Sequence, residues 1–167
     1  MIHSFPLIVA FIAQAQGSGL QAEIRTTSYG VPHVKAASFA AAAFGLGYAF
    51  AKADLCTVAD RWVTVRAERS RYFGIEGRRD GRQTVTNLQS DFYWKRILDS
   101  DLVGRELSLP PPLGPTPEVR DMVRGYVAGY NKYLREVGVA GIPDKRCRGK
   151  EWVRPITEGS LPSSPCQ

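Results

Sequence analysis

Histidine is nearly missing from this chain: His3 and His33 are the two present in 167 residues. Cysteine is scarce as well, with Cys56, Cys147 and Cys166 and no C-x-x-C pair. Zinc sites draw on His and Cys at short spacings, so a metal centre has no foundation here. Three cysteines are also too few for a disulfide scaffold. One bridge, for instance Cys147 to Cys166, is open to a chain in an oxidising compartment, and the spacing does not fix it. No G-x-S-x-G elbow accompanies His33, which follows Pro32 in an apolar extended segment where a structural role is expected. Carboxylates occur at Glu23, Asp54, Asp60, Glu68 and Asp91, yet no spacing marks an acid/base pair. Asp54 and Asp60 lie off the same helical face, and Glu68 with Arg71 reads as an i, i+3 surface pair. A Walker-type glycine spacing and any internal repeat are absent too. The sequence therefore assigns no catalytic, metal or cofactor-binding residue, and calls for no cofactor.

Long apolar runs are the next shortage. Phe5 to Ala13 has the length of a signal-peptide core and is far too short to span a bilayer. Ala13-Gln14-Ala15 fits the A-x-A cleavage pattern, and Leu20-Gln21-Ala22 offers a weaker second site. The amino-terminal flank carries His3 but no Lys or Arg. Residues 1–22 read as a signal peptide, with a periplasmic or secreted location, and no other segment reads as transmembrane. The net charge of +6 is spread along the chain. That pattern fits a solvated surface better than a nucleic-acid face, and Arg78-Arg79-Asp80-Gly81-Arg82 reads as a turn with a basic rim.

What the sequence does contain is helical patterning behind a small hairpin. Glu23 to Lys35 reads as two short strands around Tyr29-Gly30, because glycine tolerates positive φ and Pro32 keeps Val31 extended. So small a hairpin needs another sheet to join. Ser38 suits the cap of a helix from Phe39. Gly45 and Gly47 interrupt it, marking either close backbone packing or a break between two helices. Leu55, Val58, Ala59, Trp62 and Val63 share one buried face, and Gly74 ends the pattern. Ile75 to Gln89 reads as loop, Asp91 to Val103 as a helix, and Pro110-Pro111-Pro112 as a stiff spacer. Thr116 and Pro117 open the clearest helix, which runs to Val137 before Gly138. Its tyrosines read as core or interface, and Gly125 with Gly129 leaves room for a close neighbour. From Gly141 the chain reads as loop, and residues 159–167 as a tail without periodicity.

The order of these segments resembles the penicillin acylase family of N-terminal-nucleophile hydrolases. Glu23-Ile24-Arg25-Thr26-Thr27-Ser28-Tyr29-Gly30-Val31-Pro32-His33-Val34-Lys35-Ala36 is similar to the opening of the mature chains in that family. Phe44-Gly45-Leu46-Gly47-Tyr48 through Asp54-Leu55, then Arg66 to Gly74, Gly125 to Asn131 and Cys147 to Thr157 follow in family order. The family's Gln before the Asp is replaced by Lys52 or Ala53, depending on register. The last two motifs look most like the branch of acyl-homoserine lactone acylases and aculeacin acylase. The resemblance covers roughly Glu23 to Glu158.

The resemblance implies a fold that is mainly α with an N-terminal β-hairpin, forming the α-subunit part of an αββα sandwich. It implies an exported precursor, cut into an α subunit, a spacer and a β subunit. The β subunit's N-terminal Ser would be the nucleophile and its own α-amine the base, an amine whose reference pKa near ~8 lets part of it be neutral near working pH. The reaction implied is removal of an acyl chain from an acyl-homoserine lactone, lipopeptide or β-lactam type amide. The partner implied is that β subunit, with no nucleic acid and no stable membrane insertion. No nucleophile of the family type stands in this chain, since Ser160, Ser163 and Ser164 lack the family's Ser-Asn context. Residues 159–167 also replace helices that follow in the family. Residues 23–158 are thus expected to be an incomplete α-subunit-like region, inactive alone and poorly folded without the missing sheet. The alternative is a noncatalytic helical protein that binds a partner through its apolar faces.

Overall fold

Two long helices set the frame, and glycine decides how they meet. The computed structural model describes residues 19–78 and 84–158. Helix α1 runs Phe39–Val65 and begins where the Ser38 hydroxyl accepts from the Ala41 N–H at 3.2 Å. The fifth helix, Pro117–Val137, has the expected bounds: Thr116 caps Val119, Pro117 sits in the first turn, and Gly138 at φ 65° stops it. A methyl group on Gly125 would strike the Ala40 carbonyl, and one on Gly129 the Phe44 carbonyl. From the other side, a methyl on Gly47 would strike the Tyr126 carbonyl. The two backbones therefore touch with no side chain between them.

Gly45 serves the opposite neighbour. An added Cβ there would lie 2.5 Å from Val34 Cγ1 and 2.8 Å from Ala22 Cβ. Those residues belong to strands β1 (Ala22–Thr26) and β2 (Pro32–Ala36), an antiparallel pair in which Ile24 faces Val34 and Ala22 faces Ala36. So the glycines of α1 are packing positions, and the first of the two sequence readings holds. The helix does break, but at Asp54 (φ −155°, ψ 75°). Its carboxylate accepts from Thr57 N at 3.1 Å and from the Thr57 hydroxyl at 2.6 Å, giving the second half of α1 its own N-cap. By length and composition α1 is also apolar enough to cross a membrane, which the sequence reading did not expect. Here it is a core helix, with Ala51, Leu55, Cys56, Ala59 and Val63 buried.

Between the long helices the chain makes three short ones: α2 (Arg69–Phe73), α3 (Asn87–Asp99) and α4 (Leu102–Ser108), after which Pro117–Val137 is α5. The expected helix over 91–103 is corrected at both ends. Thr86 and Gln89 form a capping box that starts α3 four residues earlier, inside the expected loop. Asp101 in left-handed conformation (φ 49°) separates α3 from α4. Residues Arg79, Asp80, Gly81 and Arg82 of the basic turn lie outside the described residues, as do 1–18 and 159–167.

Segment 142–156 has neither helix nor strand, as expected, but it is not a surface loop. Ile142, Cys147, Trp152, Val153 and Ile156 are buried with Tyr130 and Leu134 of α5 and the inner face of α1. Three ties hold this strap. Cys147 is bonded to Cys56 of α1, which corrects the Cys147–Cys166 expectation. Asn131 donates to the Ile156 carbonyl at 2.7 Å and accepts from the Ile156 N–H at 2.9 Å, copying one rung of a β-ladder with a side chain. Arg154 pairs with Glu68, so the expected Glu68–Arg71 pair is replaced, and Arg71 instead lies over the Tyr72 ring.

Candidate functional site

The five carboxylates of the sequence inventory all have structural employment. Glu23 pairs with Arg25 on the exposed face of β1. Asp54 caps half of α1 and also meets Arg146 of the strap at 3.1 Å. The Thr57 hydroxyl bond, foremost, holds the Asp54 carboxyl below its ordinary range. Glu68 holds Arg154. His33 stands exposed on β2, in register with Arg25, rather than packed in an apolar setting as expected.

Asp60 and Asp91 meet around one buried cation that sequence reasoning missed. Arg69 is 4 % exposed. Its Nη1 donates to Asp60 at 2.7 Å and to the Thr64 hydroxyl at 3.0 Å, while Nε donates to Asn87 at 2.8 Å. Asn87 passes the network on, donating to the Gly74 carbonyl at 2.8 Å. Asp91 accepts from the backbone N–H groups of Arg69 (2.9 Å) and Ser70 (2.7 Å), so α3 caps α2. The Phe73 ring lies 4.9 Å from the guanidinium. A buried charge is tolerated when it is paired and hydrogen-bonded, as Arg69 is through Nε and Nη1. The run Glu68-Arg69-Ser70-Arg71 signalled surface charge, and nothing local marked its second residue as the inner one.

Beside this knot the protein is hollow. An open groove of about 680 Å³ runs along α1 from Phe50 to Val65. Phe50, Val58 and Trp62 of α1, Trp94 of α3 and Tyr126 of α5 give it apolar walls, with Asp54 and Arg61 among its lining. A smaller hollow of about 460 Å³ shares Thr64 and Trp94 and reaches Arg69, Asn87 and Tyr93. The threonine hydroxyls of the groove are engaged: Thr57 with Asp54, and Thr64 between the Asp60 carbonyl and Arg69. Among the described residues the groove therefore offers shape and apolar surface rather than a nucleophile with its base.

On the far side of the α1–α5 contact, Tyr48 donates to Glu136 at 2.8 Å and packs edge-on against Tyr133. Burial, with the Glu136 hydrogen bond second, pushes its phenol up to about 12. Tyr130 is wholly buried, its hydroxyl lacks a hydrogen-bond partner, and burial raises it to about 12 as well. The expectation that the α5 tyrosines are core or interface thus divides: Tyr130 is core, while Tyr126 walls the groove.

Comparison with known proteins places these features. The penicillin amidase family model matches residues 21–155. Aculeacin-A acylase of Actinoplanes utahensis is 42% identical over 146 residues, 86% of this chain and 18% of that protein. The acyl-homoserine lactone acylase PvdQ of Pseudomonas fluorescens is 40% identical over 152 residues, 89% of this chain and 18% of that protein. Among solved structures, a thermostable penicillin G acylase from Alcaligenes faecalis matches with a TM-score of 0.64 at 25% identity, covering 84% of this chain and 67% of that one. The chain thus spans less than a fifth of the curated relatives it matches. The hairpin, the glycine-paired helices and the Trp152 strap as far as Pro155 fall within the matched residues, and the chain belongs to the penicillin amidase family.

Proposed function

We propose that residues 23–158 are the helical N-terminal part of an amide-hydrolysing acylase, which works only with the remainder of the family polypeptide. The observation that carries this is identity near 40% to two acylases across almost the whole described chain. The missing remainder would supply an N-terminal Ser with its α-amine as base, and a sheet that β1 and β2 extend into a sandwich of the N-terminal-nucleophile type. A two-stranded hairpin alone is marginal in water, which supports the need for that sheet. Acyl-homoserine lactones and aculeacin A are the substrates that the two relatives' names favour. We place the protein outside the cytoplasm, with residues 1–22 as its leader and 159–167 as an unrelated tail. A buried disulfide supports an oxidising compartment. Cleavage after Ala15 would leave β1 whole, whereas cleavage after Ala22 would remove the partner of Ala36.

The test is reconstitution. The chain is co-expressed in the periplasm with the remainder of aculeacin-A acylase, beyond the stretch it matches, and release of free amine from a long-chain acyl-homoserine lactone is measured. Activity only with both pieces is expected. A soluble complex without hydrolysis, or hydrolysis by the chain alone, would overturn the reading. The apolar groove, free of an acid/base pair, favours a second reading: a noncatalytic helical binding protein. A stable monomer that forms no complex with the acylase remainder would speak for that one.

A further inference from the structure

We infer that the smaller hollow beside Arg69 binds a small, neutral, planar ring that carries a carbonyl on its edge, such as a carboxamide or a lactam. The site does not depend on the acylase reading. It lies where α1, α2 and α3 meet, with Thr64, Arg69 and the first turn of α3 in its wall. The first ground is an unspent donor. Arg69 gives Nη1 to Asp60 and Thr64 and Nε to Asn87, and among the described residues Nη2 has no partner. The fully enclosed orphan atoms of the described side chains are Ser70 Oγ and Tyr130 Oη. Nη2 is not one of them, so it borders open space although its residue is only 4 % exposed. A guanidinium N–H withdrawn from bulk water is costly until an acceptor meets it. Asn87, the other buried polar residue in the wall, is committed to Arg69 Nε and to the Gly74 carbonyl.

The second ground is the chemistry of the rest of the wall. The Ser90 hydroxyl has no partner among the described residues, and the Thr86 hydroxyl accepts from the Gln89 N–H while keeping its own proton to give. These are donors, and they call for an accepting oxygen. An anion is disfavoured there. Arg69 already has two carboxylates around it, Asp60 on Nη1 and Asp91 on its backbone N–H, so a third negative charge meets net repulsion. The first N–H groups of α3 are taken as well, Asn87 by the Gly77 carbonyl, Leu88 by the Ile75 carbonyl and Gln89 by Thr86. The third ground is shape. Tyr93 and Trp94 both line the hollow, with ring centroids 5.4 Å apart and planes at 86°, and so form a corner. A flat ring set in that corner stacks on one aromatic face and meets the edge of the other. The volume of about 460 Å³ suits a small molecule, whose sites run from about 300 to 1,000 Å³.

The experiment titrates the purified full chain with nicotinamide, nicotinate and pyridine by isothermal titration calorimetry and follows Tm alongside. Nicotinamide is expected to bind with a Kd on the order of 1 mM. At ten times that concentration Tm should rise by about 3 °C. Nicotinate, which adds a charge, and pyridine, which lacks the carbonyl, are expected to bind at least about fivefold more weakly. Arg69→Lys keeps a positive charge for Asp60 but removes Nη2, and should weaken nicotinamide at least about tenfold. Tyr93→Ala, at a position 63% exposed, leaves the buried network alone and should weaken it about fivefold, so the test stands even if Arg69→Lys unfolds. Phe92→Ala, 69% exposed and lining neither hollow, and Phe50→Glu, in the larger groove, are expected to bind as wild type. Circular dichroism checks the fold of each protein. Absence of nicotinamide binding overturns the assignment. Nicotinate binding as tightly would make it an anion site, and pyridine binding as tightly would leave an adventitious additive only; either overturns it. Binding lost in Phe50→Glu and kept in Tyr93→Ala moves the ligand to the groove and overturns it too. The acylase reading stands under all of these outcomes, since it requires no ligand at Arg69.

Discussion

Reducing or deleting one covalent link should cost this chain a large share of its stability. Cys56 and Cys147 are 91 residues apart and both buried, at 4% and 0% exposure. A cross-link removes loop-closure entropy from the unfolded chain, and for a loop of this length the chain-entropy relation gives about 4.6 kcal/mol at 25 °C. Natural domains have only about 5–15 kcal/mol in total, so the folded state would become marginal without the link. With a urea m-value of roughly 2 kcal/mol/M, the unfolding midpoint should fall by about 2 M in Cys56→Ala/Cys147→Ala relative to the oxidised wild type. Cys166→Ala should leave the midpoint in place. The assay is equilibrium urea unfolding followed by far-UV circular dichroism, paired with a non-reducing peptide map. A map that joins Cys147 to Cys166, or a midpoint indifferent to reduction, would refute the reasoning.

Other perturbations test the helix contact, the strap and the kink. Gly129→Ala gains about 1 kcal/mol in helix propensity but drives a methyl into the Phe44 backbone, so a net loss of about 1–3 kcal/mol is expected by denaturation. Gly141→Ala, whose added methyl would meet Val137 at an ordinary 3.8 Å, should cost little in the same assay. Asn131→Ala removes both bonds to Ile156 and leaves its backbone groups unpaired, at a cost of about 2–4 kcal/mol; amide exchange at Ile156 should accelerate in step. Because the folded pKa of Asp54 is depressed, its contribution is present above the unfolded value near ~3.9 and lost as pH falls through the folded one. Stability measured below pH ~4 should therefore fall less steeply in Asp54→Asn than in wild type.

Local signals were legible and remote pairings were not. The α5 boundaries follow from Thr116, Pro117 and Gly138, each acting within one turn of itself, and the sequence placed them correctly. The hairpin was legible for the same reason, through Tyr29-Gly30 and Pro32. The α3 start was also written locally, in Thr86-x-x-Gln89, but the polar residues of that capping box were taken for loop. Glycine in α1 admitted two readings because a missing side chain is silent about what approaches; only the α5 backbone and the side chains of β1 and β2 resolve it. Arg69, Asn131 and the Cys56–Cys147 link belong to a harder class. Their partners lie 5 to 91 residues away in the chain, and nothing in the local pattern names them. The family resemblance reached the motifs that hold these residues without explaining them. The structure supplies the explanation: Asn131 and the disulfide fasten a strap that has no ladder of its own, and Arg69 ties α2 to α1 and α3.

That α1 is the first long element made, while its covers come last, puts a demand on timing. Residues 66–116 lie between its end and the start of α5. At about 5–20 residues per second of synthesis, α1 waits roughly 3–10 s for its glycine-matched neighbour, and longer for the strap. During that interval it presents a 27-residue helix long and apolar enough to cross a membrane. The charged residues near its middle and end, Lys52, Asp54, Asp60 and Arg61, are what tell the two fates apart. Asp54 thus weighs on how the new-made helix is sorted as well as on the bend it caps.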